Sequence, residues 1–170
     1  MYKINDVVCY QNYGLCRIKD IQKIVVMNQK PRPYYLMEKV YDQCDSTLIK
    51  IPVDTANFMR PVLTHDEAIA LIKRLPKVEI EWHKDVRDRE QYYKQQIATW
   101  DIDEWAKVIK SIFEFKRLNS AQDKPRPVPQ LEIKYFEKAE NLFNQELAYA
   151  LKIEMNQVSD RINQILDEKL

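Results

Sequence analysis

The chain has 170 residues, enough for one ordinary hydrophobic core or two small ones. Its 45% hydrophobic and 31% charged residues are typical of a folded globular protein and exclude a disordered or fibrous chain. The net charge is only +1, so any binding to nucleic acid has to depend on a local basic patch and not on a global field.

Residue counts exclude several kinds of site. Gly14 is the single glycine, so the glycine-rich loops that hold nucleotide phosphates have no place in this sequence. The three cysteines show no Cys-x-x-Cys spacing and are expected to be reduced and structural. Because His65 and His83 are the only histidines, the sequence predicts no metal site and no cofactor.

No apolar run approaches the roughly 20 residues that span a bilayer. The first residues also lack the apolar stretch of a secretory signal. We therefore expect a cytoplasmic protein with no membrane partner.

The N-terminal part contains short runs rich in β-branched and aromatic residues, separated by turn-forming residues. This pattern is typical of a small antiparallel sheet or barrel. Strands are predicted at residues 7–10, 15–27, 34–40 and 47–52, and the second is long enough to bend. A hairpin connection is predicted at 28–33, where prolines cannot donate ladder hydrogen bonds, and a turn at 42–46.

After Pro61 the apolar residues recur at helical spacing. Thr64 and Glu67 have the spacing of a capping box, and Pro76 is expected to end the helix that follows. The rest of the chain is helical in pattern, with interruptions predicted at 99–101, in the proline-dense segment 119–129 and near 155–156. The sequence thus predicts a β domain over residues 1–62 and an all-helical domain over residues 63–170.

The candidate catalytic residues show no arrangement that predicts an enzyme. His65 falls in the first turn of a helix and His83 in a charged stretch, where solvated surface histidines are usual. Carboxylates alternate with Lys and Arg through the helical part, as expected for solvated faces with weak ion pairs. We predict no catalytic residues and no small-molecule substrate.

Four motifs follow one another in the N-terminal part. They are Tyr2-Lys3-Ile4-Asn5-Asp6-Val7-Val8-Cys9-Tyr10 with Gly14-Leu15-Cys16-Arg17-Ile18 and Ile21; Tyr34-Tyr35-Leu36; Ile49-Lys50-Ile51-Pro52-Val53; and Arg60-Pro61-Val62 before the capped helix. In this order they resemble the CarD/CdnL transcription regulators, whose N-terminal module is shared with the RNA-polymerase-interacting domain of transcription-repair coupling factors. Asn5 stands where that family usually has glycine, and Tyr13 where it has histidine. Asparagine tolerates positive φ, so a tight turn at Asn5 is still expected.

The resemblance implies an α+β protein, with a small Tudor-like antiparallel β-barrel followed by an all-helical DNA-binding domain. It also implies that the barrel binds the β subunit of RNA polymerase through an exposed strand. Strand addition suits Ile24, Val25, Val26 and Met27, because a free sheet edge offers unpaired amides and carbonyls. Lys50 aligns with a basic residue that contacts polymerase in the family, and it is equally well explained as an outward-facing lysine of an antiparallel strand.

In this family a tryptophan acts as a minor-groove wedge at the upstream edge of the promoter bubble. Trp82 is the candidate wedge, and Lys84, Arg87 and Arg89 are candidate phosphate partners within two helical turns. Acidic residues interleave with these cations, so DNA binding would depend on tethering to polymerase.

The choice of tryptophan is open at this stage. An alignment without gaps puts Val86 at the wedge position, one helical turn from Trp82, and a packing role for Trp82 is equally consistent with the pattern. Trp100 and Trp105 are the alternatives. Trp105 lies in an apolar stripe with Val108 and is predicted to be core.

Taken together, the residues and the resemblance predict a bacterial transcription regulator that binds RNA polymerase and promoter DNA and modulates the stability of the open complex. A second hypothesis is a protein–protein adaptor that binds polymerase or another partner without touching DNA, which the charge balance favours. A small enzyme with a helical lid over the barrel is a third hypothesis, opposed by the lack of convergent polar motifs.

Overall fold

A computed structural model of the protein describes residues 1–11, 13–27, 30–41, 48–121 and 129–169. The chain divides into two compact units, Met1–Leu63 and Thr64–Leu170. Among these described residues, the first unit contains an antiparallel sheet and the second contains five α-helices, which confirms the predicted α+β class. The predicted turn at 42–46 lies outside the described residues, as do residues 28–29 and 47 and most of the proline-dense segment.

In the part of the first unit that the structure describes, the sheet has five strands in the order β4-β3-β2-β1-β5. They are β1 Val7–Tyr10, β2 Gly14–Ile24, β3 Arg32–Lys39, β4 Ile49–Pro52 and β5 Met59–Pro61. Strand β5 is missing from the sequence prediction because three residues are too short to show an alternating pattern. Within the described ranges, β4 and β5 each pair with a single strand, so the sheet is open and closure into a Tudor-like barrel stays a prediction.

Strand β2 has a register irregularity near its middle, in the strand whose length predicts a bend. Its register with β3 shifts between Ile18 and Asp20, which makes Lys19 the extra residue of a β-bulge. The strand ends at Ile24 and not at Met27, whose φ of 48° is incompatible with an extended strand. The apolar, β-branched composition of the last three predicted residues favours a strand, but no strand forms there.

The turn before β1 depends on Asn5, which has a φ of 75°. Its N–H donates to the carbonyl of Ile18 at 2.8 Å, and the Ile18 N–H donates to the carbonyl of Asp6 at 2.9 Å. The Asp6 carboxylate accepts from the Lys3 N–H at 2.7 Å and closes the turn. The expectation that asparagine supports a positive-φ turn here is confirmed.

One face of the sheet carries the core of the first unit. Its buried members are Val8, Cys16, Ile18, Tyr35, Met37, Ile51 and Met59. Cys16 pairs with Val8 across β1 and β2, whereas Cys9 pairs with Leu15. Because cross-strand partners share a face and neighbours in a strand alternate, the two cysteines lie on opposite faces of the sheet.

We expect Cys16 to resist alkylation in the folded protein at neutral pH. Burial raises the pKa of its thiol to about 12, and the thiolate is the form that reacts. Peptide mass spectrometry after iodoacetamide treatment should find Cys16 unmodified without denaturant and modified with it. Oxidation should also give no Cys9–Cys16 disulfide, and rapid labelling of Cys16 in the native protein would contradict the prediction.

The second unit contains helices α1 His65–Arg74, α2 Val86–Ala98, α3 Ile102–Ser120, α4 Gln130–Leu151 and α5 Met155–Lys169. The capping box that starts α1 is confirmed: the Glu67 N–H donates to Thr64 Oγ1, and the Thr64 N–H donates to Glu67 Oε2. Pro76 lies in a 3₁₀ turn directly after α1, so that helix ends where the proline predicts.

The other predicted helix boundaries fall close to the observed ones. The interruption at 99–101 is confirmed, with Trp100 at a φ of 64° and Asp101 capping α3 through the Asp103 N–H. Helix α3 continues to Ser120, which was expected to be loop. The break between α4 and α5 is centred on Lys152, with a φ of 55°, slightly earlier than predicted.

One helical prediction is wrong. Residues 78–85 form neither helix nor strand, and α2 begins at Val86 with Asp85 as its N-cap. We call residues 78–85 the connecting segment. Val78, Ile80 and Trp82 recur at every second residue, which is the spacing of an extended chain. The helical pattern on both sides of the segment nevertheless favours a helix, and this led to the wrong prediction.

Candidate functional site

Strand β2 offers a partly open edge in the first unit. Strand β1 pairs with β2 only over residues 14–17, and beyond the bulge no described strand lies on that side. The Ile21 N–H is bonded by the Asp20 carboxylate at 2.8 Å, and Gln22 Nε2 donates to the same carboxylate at 2.7 Å. An acidic side chain therefore covers this edge, which is a common way of blunting an exposed strand.

The four residues predicted for strand addition differ in exposure and in secondary structure. Ile24 is half-buried and pairs with Arg32 on β3. Val25, Val26 and Met27 follow the strand and are 61%, 38% and 91% exposed. Three consecutive exposed apolar side chains are unusual on a soluble surface and are typical of a contact site.

Lys50 lies on β4, which is a terminal strand of the sheet. It is exposed and pairs with Leu36, while its neighbour Ile51 pairs with Tyr35 on the core face. Because Ile24 and Lys50 pair with Arg32 and Leu36 of the same strand, they are separated by about 13 Å along the strands. They lie on either side of β3, so two strand spacings of about 4.8 Å each separate them across the sheet. Such a spacing fits within one protein interface of ordinary size.

Two buried cations hold the connecting segment of the second unit. Lys110 Nζ donates to the carbonyls of Pro76 at 2.7 Å and Val78 at 2.8 Å, at the start of the segment. Arg89 Nη1 donates to the carbonyls of His83 and Lys84, both at 2.8 Å, at its end. The segment lacks the repeating hydrogen bonds of a helix, so these side chains supply its support.

Arg89 also forms a buried ion pair with Glu132 at the start of α4. Its Nε and Nη2 atoms lie 2.8 and 2.7 Å from Glu132 Oε1, and the two residues are 6% and 1% exposed. The Arg89 guanidinium therefore makes its contacts inside the unit. The structure gives no support to the prediction that Arg89 binds phosphate, because its side chain is buried and bonded to Glu132 and to two backbone carbonyls.

Trp82 is 43% exposed and packs on Phe115, with ring centroids 5.3 Å apart and planes inclined by 18°. The guanidinium carbon of Arg89 lies 4.9 Å from the Trp82 ring and 5.9 Å from the Phe115 ring. Arg89, Phe115 and Trp82 therefore lie in mutual contact, and both Arg89 and Phe115 pack against the indole.

An open groove of about 320 Å³ adjoins the exposed indole. It is lined by Ile80, Trp82, Glu114, Phe115 and Leu118, of which Leu118 is 61% exposed. Phe115 and Leu118 were not predicted as site residues, because their helical spacing in α3 is equally typical of core positions.

The other two predicted phosphate partners are exposed. Lys84 lies in the connecting segment and Arg87 in the first turn of α2. Glu81, Asp85 and Asp88 are exposed on the same stretch, so the surface around the indole carries both signs of charge. Trp82, Lys84 and Arg87 are therefore exposed and close together in the sequence, whereas Arg89 is buried.

The alternative tryptophans are less accessible. Trp105 is 1% exposed and its Nε1 donates to the carbonyl of Ile97 at 3.3 Å, which confirms it as core. Trp100 is half-buried and meets Trp105 edge-on, with centroids 5.9 Å apart. Of the three tryptophans, Trp82 offers the exposed indole.

Residues 2–63 match the family model of the CarD-like/TRCF RID domain, so the first unit is a domain of this family. The match indicates interaction with RNA polymerase, and domains of this family are in general non-catalytic. No curated protein matches the chain.

Across the described ranges, no three His, Cys, Asp or Glu side chains are grouped so that they could hold a metal ion. None of the helices described is long and apolar enough to cross a membrane.

Proposed function

We propose that the protein is a bacterial transcription regulator, working in the cytoplasm, that binds the β subunit of RNA polymerase through its first unit and promoter DNA through its second. In this proposal it modulates the stability of the open complex. The observation that carries it is the match of residues 2–63 to the CarD-like/TRCF RID domain. The exposed side chains of each unit supply the contacts.

On the polymerase side, the proposed contacts are Ile24, Val25, Val26, Met27 and Lys50. The three exposed apolar residues can bury their side chains against a partner, and the β2 edge beside them can accept an added strand. An incoming strand would have to displace the Asp20 carboxylate from the Ile21 N–H. This requirement favours a specific partner over indiscriminate strand pairing.

On the DNA side, the proposed wedge is Trp82, with Lys84 and Arg87 as phosphate contacts. A partly exposed indole supported from behind by Phe115 can insert at a distorted base step, because it is already held in place. The acidic residues around it weaken the attraction to phosphate. Tethering to polymerase then supplies the local concentration that the charges do not.

Lys50→Glu is expected to weaken capture of RNA polymerase about tenfold, because a reversed charge on the contact strand repels the surface that the lysine attracts. Titration of polymerase core enzyme against the immobilised full-length chain measures this effect. Lys73→Glu, an equally large charge change on α1, serves as the matched control and should bind normally. Equal capture by both variants would remove Lys50 from the interface, and no capture by the unsubstituted chain would overturn the proposed function.

Trp82→Ala is expected to shorten the lifetime of the open complex about tenfold relative to the unsubstituted protein, while polymerase capture stays normal. The physical reason is that unstacking a base step costs a few kcal/mol, part of which an inserted aromatic ring offsets. Competitor-challenge kinetics on a promoter limited by opening provide the measurement. Trp82→Phe should retain part of the effect, and identical lifetimes for all three proteins would remove DNA insertion from the proposal.

The adaptor hypothesis is favoured by the acidic residues beside Trp82. If the second unit contacts protein and not DNA, the affinity of the polymerase–protein complex for promoter DNA should have the same salt dependence as that of polymerase alone. A DNA contact through Lys84 and Arg87 should instead steepen the slope of log affinity against log salt by about 1 for each phosphate bound.

A further inference from the structure

We propose that Arg89, anchored by Glu132, is a positioning residue that fixes the orientation of the Trp82 indole for its contact with DNA. The inference rests on the proposed function, because it concerns how the same tryptophan is presented. It assigns to the buried ion pair a role beyond holding helices together.

The connecting segment needs an external support at Trp82. The residue has neither helical nor strand hydrogen bonds around it, and its indole is partly exposed. A tryptophan on such a segment can turn about its side-chain torsions and move with the backbone, which would spread the indole over several positions.

Arg89 restrains both the backbone and the ring. Its Nη1 atom donates to the carbonyls of the two residues that directly follow Trp82, at 2.8 Å each. The same guanidinium lies 4.9 Å from the centre of the indole. One side chain therefore fixes the exit of the segment and covers part of one face of the ring.

Glu132 in turn fixes Arg89. Two nitrogens of the guanidinium share the carboxylate oxygen Oε1 at 2.8 and 2.7 Å, so the planar group is locked in orientation. Glu132 belongs to α4, whereas Arg89 belongs to α2 and Phe115 to α3. The position of the indole therefore depends on side chains from three helices of the unit and not only on the segment that carries it.

Fluorine NMR of the full-length chain labelled with fluorotryptophan tests the positioning directly. The three tryptophans give three resonances. Trp82→Phe and Trp100→Phe assign those of Trp82 and Trp100, so the third belongs to Trp105. The test variant Arg89→Met/Glu132→Met removes both charges and keeps similar volume. Arg74→Met, which loses an exposed ion pair with Asp103 on the same unit, is the control.

In the double variant the Trp82 resonance should move toward that of free fluorotryptophan, while the Trp105 resonance stays in place and reports an intact core. Open-complex lifetime should then fall about fivefold, most of the way to Trp82→Ala. The control should change neither. An unmoved Trp82 resonance, or a moved one with full open-complex lifetime, would overturn the inference.

A replacement variant and a comparison with Trp82→Ala distinguish the remaining outcomes. If the double variant loses the Trp105 resonance, the variant Arg89→Lys is used in its place. The single Nζ atom of lysine cannot occupy the positions of Nη1, which bonds the two carbonyls, and of Nε and Nη2, which bond Glu132. Arg89→Lys should move the Trp82 resonance alone. If Trp82→Ala does not affect open-complex lifetime, the DNA insertion in the proposed function fails, whereas the resonance still shows whether Arg89 orients the indole.

Discussion

Arg89→Met is expected to lower the free energy of unfolding of the second unit by about 3–5 kcal/mol, because it leaves the buried carboxylate of Glu132 without its counter-charge. Glu132 is 1% exposed, and its second oxygen, Oε2, has no hydrogen-bond partner in the described part of the chain. The substitution also takes the donor from the carbonyls of His83 and Lys84. Few single changes at a residue outside the apolar core should cost as much.

Urea unfolding followed by tryptophan fluorescence measures this loss in the full-length chain. All three tryptophans lie in the second unit, so the signal reports that unit without interference from the sheet. Arg89→Met/Glu132→Met should recover most of the stability, since replacing both members of a buried pair with apolar groups is often neutral. Arg74→Met, at an exposed ion pair, should cost less than about 1 kcal/mol. Similar losses for the single and double variants would show that the charges are not coupled.

The Arg89–Glu132 pair illustrates what a sequence does not show. The partners are 43 residues apart, on two helices separated by a third. Taken alone, a glutamate in the first turn of a helix is expected to face solvent and favour the helix dipole, and an arginine near a candidate wedge is expected to face phosphate. Only the packing of α2 against α4 brings them together, and no local pattern encodes that packing.

Features set by neighbouring residues were predicted more successfully. The capping box of Thr64 and Glu67 depends on two residues three apart, and the turn at Asn5 depends on the tolerance of one residue for positive φ. The register irregularity in β2 falls in the strand whose length predicts a bend. These elements are local, so their physical causes can be read without knowing the fold.

The connecting segment shows where local patterns compete. Val78, Ile80 and Trp82 alternate with charged residues as in an extended chain, yet helices flank them on both sides. The extended conformation is stabilised by Lys110 and Arg89, whose carbonyl contacts replace the hydrogen bonds of a helix. Trp82 therefore stays the predicted wedge residue, but it lies on the extended connecting segment and not on the face of a helix.

Trp105→Ala is expected to lower the free energy of unfolding of the second unit by about 3–5 kcal/mol, because it empties a fully buried site and removes the hydrogen bond to the Ile97 carbonyl. Trp82→Ala should cost only about 1 kcal/mol, the value of an aromatic pair on a partly exposed surface. Urea unfolding followed by far-UV circular dichroism is the measurement, since fluorescence changes with each tryptophan removed.

The different stability losses expected for Trp82→Ala and Trp105→Ala also provide a control for unfolding in the functional assay. A Trp82→Ala protein that is nearly as stable as the unsubstituted chain cannot lose open-complex stabilisation through unfolding. Trp105→Ala, in contrast, should lose function only in proportion to the fraction unfolded, and stabilising its fold with an osmolyte should restore it. If Trp82→Ala were as destabilising as Trp105→Ala, the indole would be a structural residue, and the DNA contact would have to be sought on Lys84 and Arg87 alone.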